Sequence, residues 1–154
     1  RNFVGVDIKG NRMWVGAHHA QTYHMHNAAF LRAYIGHLEH YIPEGRIEEI
    51  WIIFPDPQLK KDRKKLTSTR FLELYKKLLI PGGTVHLKTD SPELFEFTLA
   101  QITAHNLTIV RQIDDVYADP SSPEELLGIQ TYYEGLHVKR GRTIRYVQFS
   151  LNNS

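Results

Sequence analysis

The stretch Ile50–Ser68, IWIIFPDPQLKKDRKKLTS, decides how the rest of the chain is read. Ile50–Phe54 is an unbroken apolar run, rich in β-branched and aromatic residues, the pattern of a strand buried on both faces in a parallel sheet. Phe54-Pro55-Asp56-Pro57 ends it. Two prolines without amide donors cannot continue a ladder, so the chain turns out at the C-terminal edge of the sheet. Open α/β sheets bind their ligands at that edge, and Asp56 is held there between two rigid residues. Lys60-Lys61-Asp62-Arg63-Lys64-Lys65 then sets five cations and one anion in six residues. Thr67 or Ser68 is placed to cap a helix beginning near Arg70. A carboxylate fixed at a strand end beside mobile cations suits an anionic polymer, with the cations neutralising phosphates and the carboxylate handling one polar group. The plainer reading is a solvated turn followed by an ordinary basic loop, which is what most charge runs are.

Composition limits the partners. A chain of 154 residues suits one domain with a sizeable core. Its net charge is only +2 with histidine neutral, so a nucleic acid must be met by a local patch rather than by the whole surface. There is no cysteine, which removes disulfides, thiolate nucleophiles and iron–sulfur ligation, and fits a reducing, cytoplasmic setting. No apolar run approaches a membrane span. Six of nine histidines fall between His18 and His40, yet no acid completes a set with metal-like spacing, so no metal is expected. A strand pattern begins two residues after Arg1, and such an abrupt start reads as a fragment.

Outward from the central stretch, strands and helices alternate. Phe3–Asp7 reads as a short strand ending in an acid, the usual place to grip a ribose diol, although Asp7 would serve equally as a helix cap. Residues 11–27 are expected to form a helix with Met13, Trp14, Ala17, Ala20 and Tyr23 on one face. Ala28–Tyr34 is a second strand, Ile35–Tyr41 a helical turn, and Ile47–Phe54 the third strand. Arg70–Leu79 is an amphipathic helix, stopped by Pro81-Gly82-Gly83. Thr84–Thr89 is a strand ending at a second acid, Asp90. Ser91 and Pro92 cap and open a helix through Ala104. Leu107–Ile113 is a strand, Asp114–Pro123 an acidic loop, and Glu124–Leu127 a helical turn. Ile129–Glu134 and Thr143–Leu151 are expected as strand elements able to form an antiparallel hairpin. This alternation predicts an α/β, doubly wound, mostly parallel sheet in one domain over residues 1–154, with an antiparallel C-terminal strand.

At this point the motifs carry a family resemblance. FPDP with its basic loop and LTS, then PGG, HLKTD and a late TYYE, are similar to bacterial tRNA (guanine-N(7)-)-methyltransferases, in the same order and at matching spacings from GVDIKG onward. The resemblance implies a class I S-adenosylmethionine-dependent methyltransferase fold, Rossmann-like, whose first strand and glycine-rich cofactor loop are absent from this chain. It implies methyl transfer from S-adenosyl-L-methionine to the 7-nitrogen of a guanine in the tRNA variable loop, by a monomer or homodimer. Carried over by position, Asp7 binds the cofactor ribose, Asp56 is catalytic and lies next to cofactor and base, and Tyr34 falls near the adenine. Lys60, Asp90 and Thr131-Tyr132-Tyr133-Glu134 fall at substrate-binding positions, and Lys61, Arg63, Lys64 and Lys65 are expected on RNA phosphates. Strand alternation would put one of Tyr132 and Tyr133 inside and the other out, where it could stack on a base. Three features depart from the family: Gln58 replaces a usual tryptophan, the basic loop is about two residues shorter, and Tyr34 stands where a polar residue is common.

The resembled strand order is 3-2-1-4-5-7-6, with Phe3–Asp7 as strand 2 and Ile47–Phe54 as strand 4. Without strand 1 these two are expected not to pair, and the fragment alone is expected to bind cofactor weakly and to be inactive. Two rival readings stay open. One is an adenine- or cytosine-amino methyltransferase, against which FPDP lacks a second adjacent proline and a following aromatic. The other is a Rossmann-like RNA-binding module without catalysis.

Overall fold

The computed structural model describes residues 1–151, which pack as two compact units, Arg1–Pro43 and the chain from Glu44 onward. In the first unit, β1 (Phe3–Asp7) and β2 (Ala28–Arg32) pair in parallel, Phe3 opposite Ala28 through Asp7 opposite Arg32, joined by α1 (Gly10–Thr22). A 3₁₀ turn, Ile35–His40, follows. Helix α1 stops well before residue 27 because His24 takes a left-handed backbone (φ 52°), which no right-handed helix continues. Its expected apolar face is not a core: only Ala20 is buried, and Trp14 stacks on His18 in solvent with rings 5.1 Å apart. What seats the helix on β2 is Gly16, where an added Cβ would stand 2.6 Å from Phe30 Cε1.

The second unit holds β3 (Ile47–Ile53), α2 (Thr69–Leu78), β4 (Leu79–Thr89), α3 (Pro92–Ala104), β5 (Thr108–Ile113), α4 (Glu124–Gly128), α5 (Tyr132–Lys139) and β6 (Arg145–Ser150). Its sheet runs β3-β4-β6-β5. The β3–β4 pair is parallel, and β6 is antiparallel to both β4 and β5. This matches the expected run 4-5-7-6. Strand β1 pairs with β2 and β3 with β4; β1 and β3 do not pair among the described residues. One face of the sheet presents Val85, Leu87, Val147 and Phe149, all fully buried, and α3 packs on β4 and β6. Leu78, Tyr75, Leu94 and Phe95 complete this core. A second, smaller cluster gathers Ile113, Val116, Leu126, Ile144 and Tyr146, with Phe54 packed against it.

Three expectations are corrected here. Strand β3 is not buried on both faces: Ile52 is buried, but Trp51 and Ile53 are 41% and 47% exposed, because β3 is an edge strand with one partner. Pro81-Gly82-Gly83 does not separate helix from strand. Helix α2 ends directly into β4 at Leu79, and the tripeptide forms a bulge between the Ile47–Leu79 and Glu49–Thr84 pairs. Gly82 supplies φ 80° there, and a Cβ on Gly83 would stand 3.0 Å from the Glu48 carbonyl oxygen. Finally, the segment after Gln130 is helix, not strand, so no hairpin joins residues 129–134 to the last strand, and β6 inserts between β4 and β5 instead.

Beside Trp51 on the opposite face, His86 is buried and sandwiched. Its ring stacks on the indole at 4.0 Å, Nδ1 lies 2.8 Å from the Tyr146 hydroxyl, and Nε2 lies 3.0 Å from Thr84 Oγ1. Burial lowers its pKa to about 4, against a smaller opposing pull from Glu49. The unfolded chain therefore binds a proton near pH 6.5 that the folded chain refuses until about pH 4. Stability from this site is complete above pH 6.5 and is lost as pH falls through that window, by roughly 1–3 kcal/mol. Urea denaturation at pH 7 and pH 4.5 should show a smaller loss in His86→Gln than in wild type; equal losses would remove His86 as the cause.

Candidate functional site

The C-terminal ends of β3 and β4 lie side by side, because the strands are parallel and Ile53 pairs with Lys88. One further bond closes the edge, the Phe54 N–H donating to the Lys88 carbonyl at 2.9 Å. Phe54 then adopts φ 45° and Gln58 φ 50°. Both lie in the left-handed region that prolines on either side of Asp56 cannot enter, so the reversal falls on the residues flanking Pro55-Asp56-Pro57. Asp56 is exposed, and its Oδ1 accepts the Gln58 N–H at 3.0 Å in an Asx turn. The carboxylate shares a concavity of about 380 Å³ with Pro57, Gln58, Leu59, Lys60, Lys61 and Lys64. A second hollow of about 510 Å³ is lined by Lys61, Asp62, Arg63, Lys64 and Arg70.

Lys65 is the exception in the basic run. It is 3% exposed, and its ammonium donates to the Gln58 carbonyl at 2.9 Å and to Asp62 Oδ1 at 2.6 Å, 5.0 Å from the centre of the Phe97 ring. It is buried rather than presented to solvent, whereas the sequence reading expected it on RNA phosphates with its neighbours. Ser68 does occupy the position before α2, but its hydroxyl donates to the Arg63 carbonyl rather than capping. Thr67 pairs with Thr98.

At the end of β4, Asp90 Oδ2 accepts from Arg142 Nη1 at 2.7 Å. His137 Nδ1 lies 3.4 Å from the same oxygen and makes no hydrogen bond. Capping of α3 falls to Ser91, whose Oγ accepts the Leu94 N–H at 3.2 Å, with Pro92 at the first position as expected. Thr131 caps α5, its Oγ1 accepting the Glu134 N–H at 3.1 Å. Tyr132 and Tyr133 are therefore helical and both exposed, not one in and one out. Glu134 is fully buried. Its Oε1 meets Lys88 Nζ and the Tyr117 hydroxyl, each at 2.5 Å, while Oε2 has no hydrogen-bond partner among the described residues. Lys88, itself 3% exposed, also donates to the Leu126 carbonyl at 2.6 Å. Burial and the bond to Glu134 raise the Tyr117 pKa to about 12, so its phenol stays a donor.

Lys88, Tyr117, His137 and Arg142 are thus site residues that sequence reasoning passed over. Lys88 stood inside the quoted HLKTD, and T-x-x-E is a helix-start signature that would have placed Glu134 on a first turn. Tyr117 and Arg142 carry no local signal. In the first unit, Asp7 Oδ1 accepts the Lys9 N–H at 3.0 Å, and Oδ2 lies 4.0 Å from Arg12 Nη1. Tyr34 is 63% exposed and meets His37 edge-on. Among the described residues no cluster of three or more His, Asp or Glu is placed to hold a metal ion, and no helix is long and apolar enough to cross a membrane.

A parallel α/β sheet with an inserted antiparallel strand, and acids at its C-terminal edge, defines a class I methyltransferase fold. A crystal structure of a SAM-dependent methyltransferase from Aquifex aeolicus superposes with TM-score 0.63 over 98% of this chain and 69% of its own, at 12% identity, a likeness of fold alone. The family model described as "Putative methyltransferase" matches residues 1–147. The tRNA (guanine-N(7)-)-methyltransferase of Porphyromonas gingivalis is 50% identical over 98% of this chain and 62% of its own length. That of Christiangramia forsetii is 41% identical over 98% of this chain and 68% of its own. The chain belongs to the tRNA (guanine-N(7)-)-methyltransferase family, and it spans about three fifths of the length of the Porphyromonas relative.

Proposed function

We propose that this protein transfers a methyl group from S-adenosyl-L-methionine to the 7-nitrogen of a guanine in the tRNA variable loop. The observation that carries the reading is the buried Glu134 carboxylate with an unsatisfied Oε2, at the sheet edge where Asp56 and Asp90 also stand. A buried acceptor without a partner is costly unless a ligand completes it, and guanine offers imino and amino donors to carboxylates. The 7-nitrogen keeps a free lone pair, so no strong base is required. The protein must hold the ring in line and exclude water. Glu134 and Asp90 orient the base edge, and Asp56 stabilises the positive charge that develops on the ring. When bound, S-adenosylmethionine supplies the electrophilic methyl. Asp7, with one oxygen taken by a backbone N–H and the other only loosely met by Arg12, fits a ribose diol, and Tyr34 is free enough to lie along an adenine.

Tyr132 and Tyr133, on the exposed first turn of α5, are available to stack on splayed bases, while Thr131 serves through its cap. Lys60, Lys61, Arg63 and Lys64 bind phosphates. Replacing Lys61 and Lys64 by Met should weaken tRNA binding and lower the slope of log K against log salt by up to about two; an unchanged slope returns the loop to plain solvation. The central test is methyl transfer to unmodified tRNA by the full-length protein, with mass mapping of the product. Label on the 7-nitrogen of guanine is expected. Label on an exocyclic amino group would favour an amino methyltransferase, and binding without product would favour a non-catalytic RNA module.

A further inference from the structure

The basic run reads as five equivalent cations around one anion in sequence, but it is not used as one. Lys60, Lys61 and Lys64 line the concavity that holds Asp56, and Arg63 lines the neighbouring hollow. Lys65 alone turns inward. Burying an ammonium costs several kcal/mol unless it is paired and hydrogen-bonded, and this one has a carboxylate, a carbonyl and an aromatic face. The carbonyl is that of Gln58, the residue whose N–H binds Asp56. Lys65 and Asp56 therefore grip the two peptide groups on either side of one Cα, at a residue forced to φ 50°. The Lys61 N–H shares the same carbonyl at 3.0 Å, so the ammonium also ties down the start of the phosphate-facing turn. Pro55 and Pro57 donate nothing, and Leu59 is 60% exposed.

We propose that Lys65 is a positioning residue for Asp56: its buried ammonium fixes the Gln58 turn and so sets the direction of the Asp56 carboxylate, while the other cations of the run meet RNA. The inference rests on the reading of Asp56 as the acid beside the reacting base. Gln58 itself brings no bulky side chain to pack the turn, and Lys65 supplies the anchor from the other end of the loop.

The test uses the full-length protein and two variants. Lys65→Met keeps the aliphatic stem over Phe97 and removes only the charge. Asp62→Ala, at an exposed position, frees one side of the ammonium without emptying the core. Lys65→Met should lower kcat on tRNA at least tenfold, leave KM within about twofold, and leave the salt slope of binding unchanged. Asp62→Ala should lower kcat about threefold in the same manner. Hydrogen exchange at the Gln58 amide should quicken at least tenfold in Lys65→Met while the β4 amides stay protected, a local loosening rather than an unfolding. Wild-type kcat in both variants, an altered salt slope in Lys65→Met, or unchanged exchange at Gln58 would each overturn the proposal. Asp56→Ala separates the two readings. If it is inactive while Lys65→Met is not, only the positioning role falls; if it turns over normally, the functional reading and this proposal fall together.

Discussion

Asp56→Ala should abolish methyl transfer while leaving the fold intact, a loss of two to three orders of magnitude in kcat, as when one preorganised electrostatic group is removed. The expectation follows from where the residue stands. Its backbone is locked by prolines on both sides, at the edge where β3 and β4 end together. One carboxylate oxygen accepts the Gln58 N–H, and the residue lines the concavity shared with Lys60, Lys61 and Lys64. Because the side chain is exposed, truncation sacrifices a single turn hydrogen bond, worth about 1 kcal/mol. Denaturation should therefore change little. Turnover within a factor of two of wild type would remove Asp56 from the chemistry.

Lys88→Met should destabilise the protein by about 3–5 kcal/mol, the usual penalty for stranding one partner of a buried ion pair. Lys88 is 3% exposed and Glu134 fully buried, with 2.5 Å between them, so loss of the ammonium leaves a carboxylate whose remaining support is the Tyr117 phenol. The double variant Lys88→Met/Glu134→Leu separates stability from function. Apolar groups of similar volume often replace a buried pair at little cost, so its stability should recover toward wild type. Methyl transfer should not recover, because the unsatisfied Oε2 proposed to receive the base is gone. Recovery of both would make the pair purely structural; recovery of neither would show that the site requires the charges to pack at all.

Legibility in the sequence varied with how local the cause is. The strand before FPDP, the stop at Pro55, the helix opened by Ser91-Pro92 and the strand ending at Asp90 were all readable, since proline chemistry, capping and period-2 alternation act within a few residues. The T-x-x-E start of α5 was equally local and was passed over: Ile129, Thr131, Tyr132 and Tyr133 are residue types that favour strands, yet Thr131 caps a helix there. The Pro81-Gly82-Gly83 segment looked like a terminator because its residues break isolated helices and strands. In the sheet its neighbour β3 holds it in register on both sides of a bulge, and a ladder supplied by another strand is not visible in the segment itself.

By itself, the sequence determined the class of sheet and the acids Asp56 and Asp90 at the strand ends, which depend on residue types acting on adjacent backbone; the strand order from β3 onward was implied only by the family resemblance. What tertiary structure alone decided is which charges are solvated. Lys64 and Lys65 are neighbours of one type, and one lines a hollow while the other is sealed against Phe97 and Gln58. Glu134 is indistinguishable in sequence from a surface acid, and becomes the buried partner of Lys88, 46 positions earlier, only because α5 folds over the end of β4. Burial is set by what packs on a residue from distant parts of the chain, and the free energy of a charge depends on burial more than on its type.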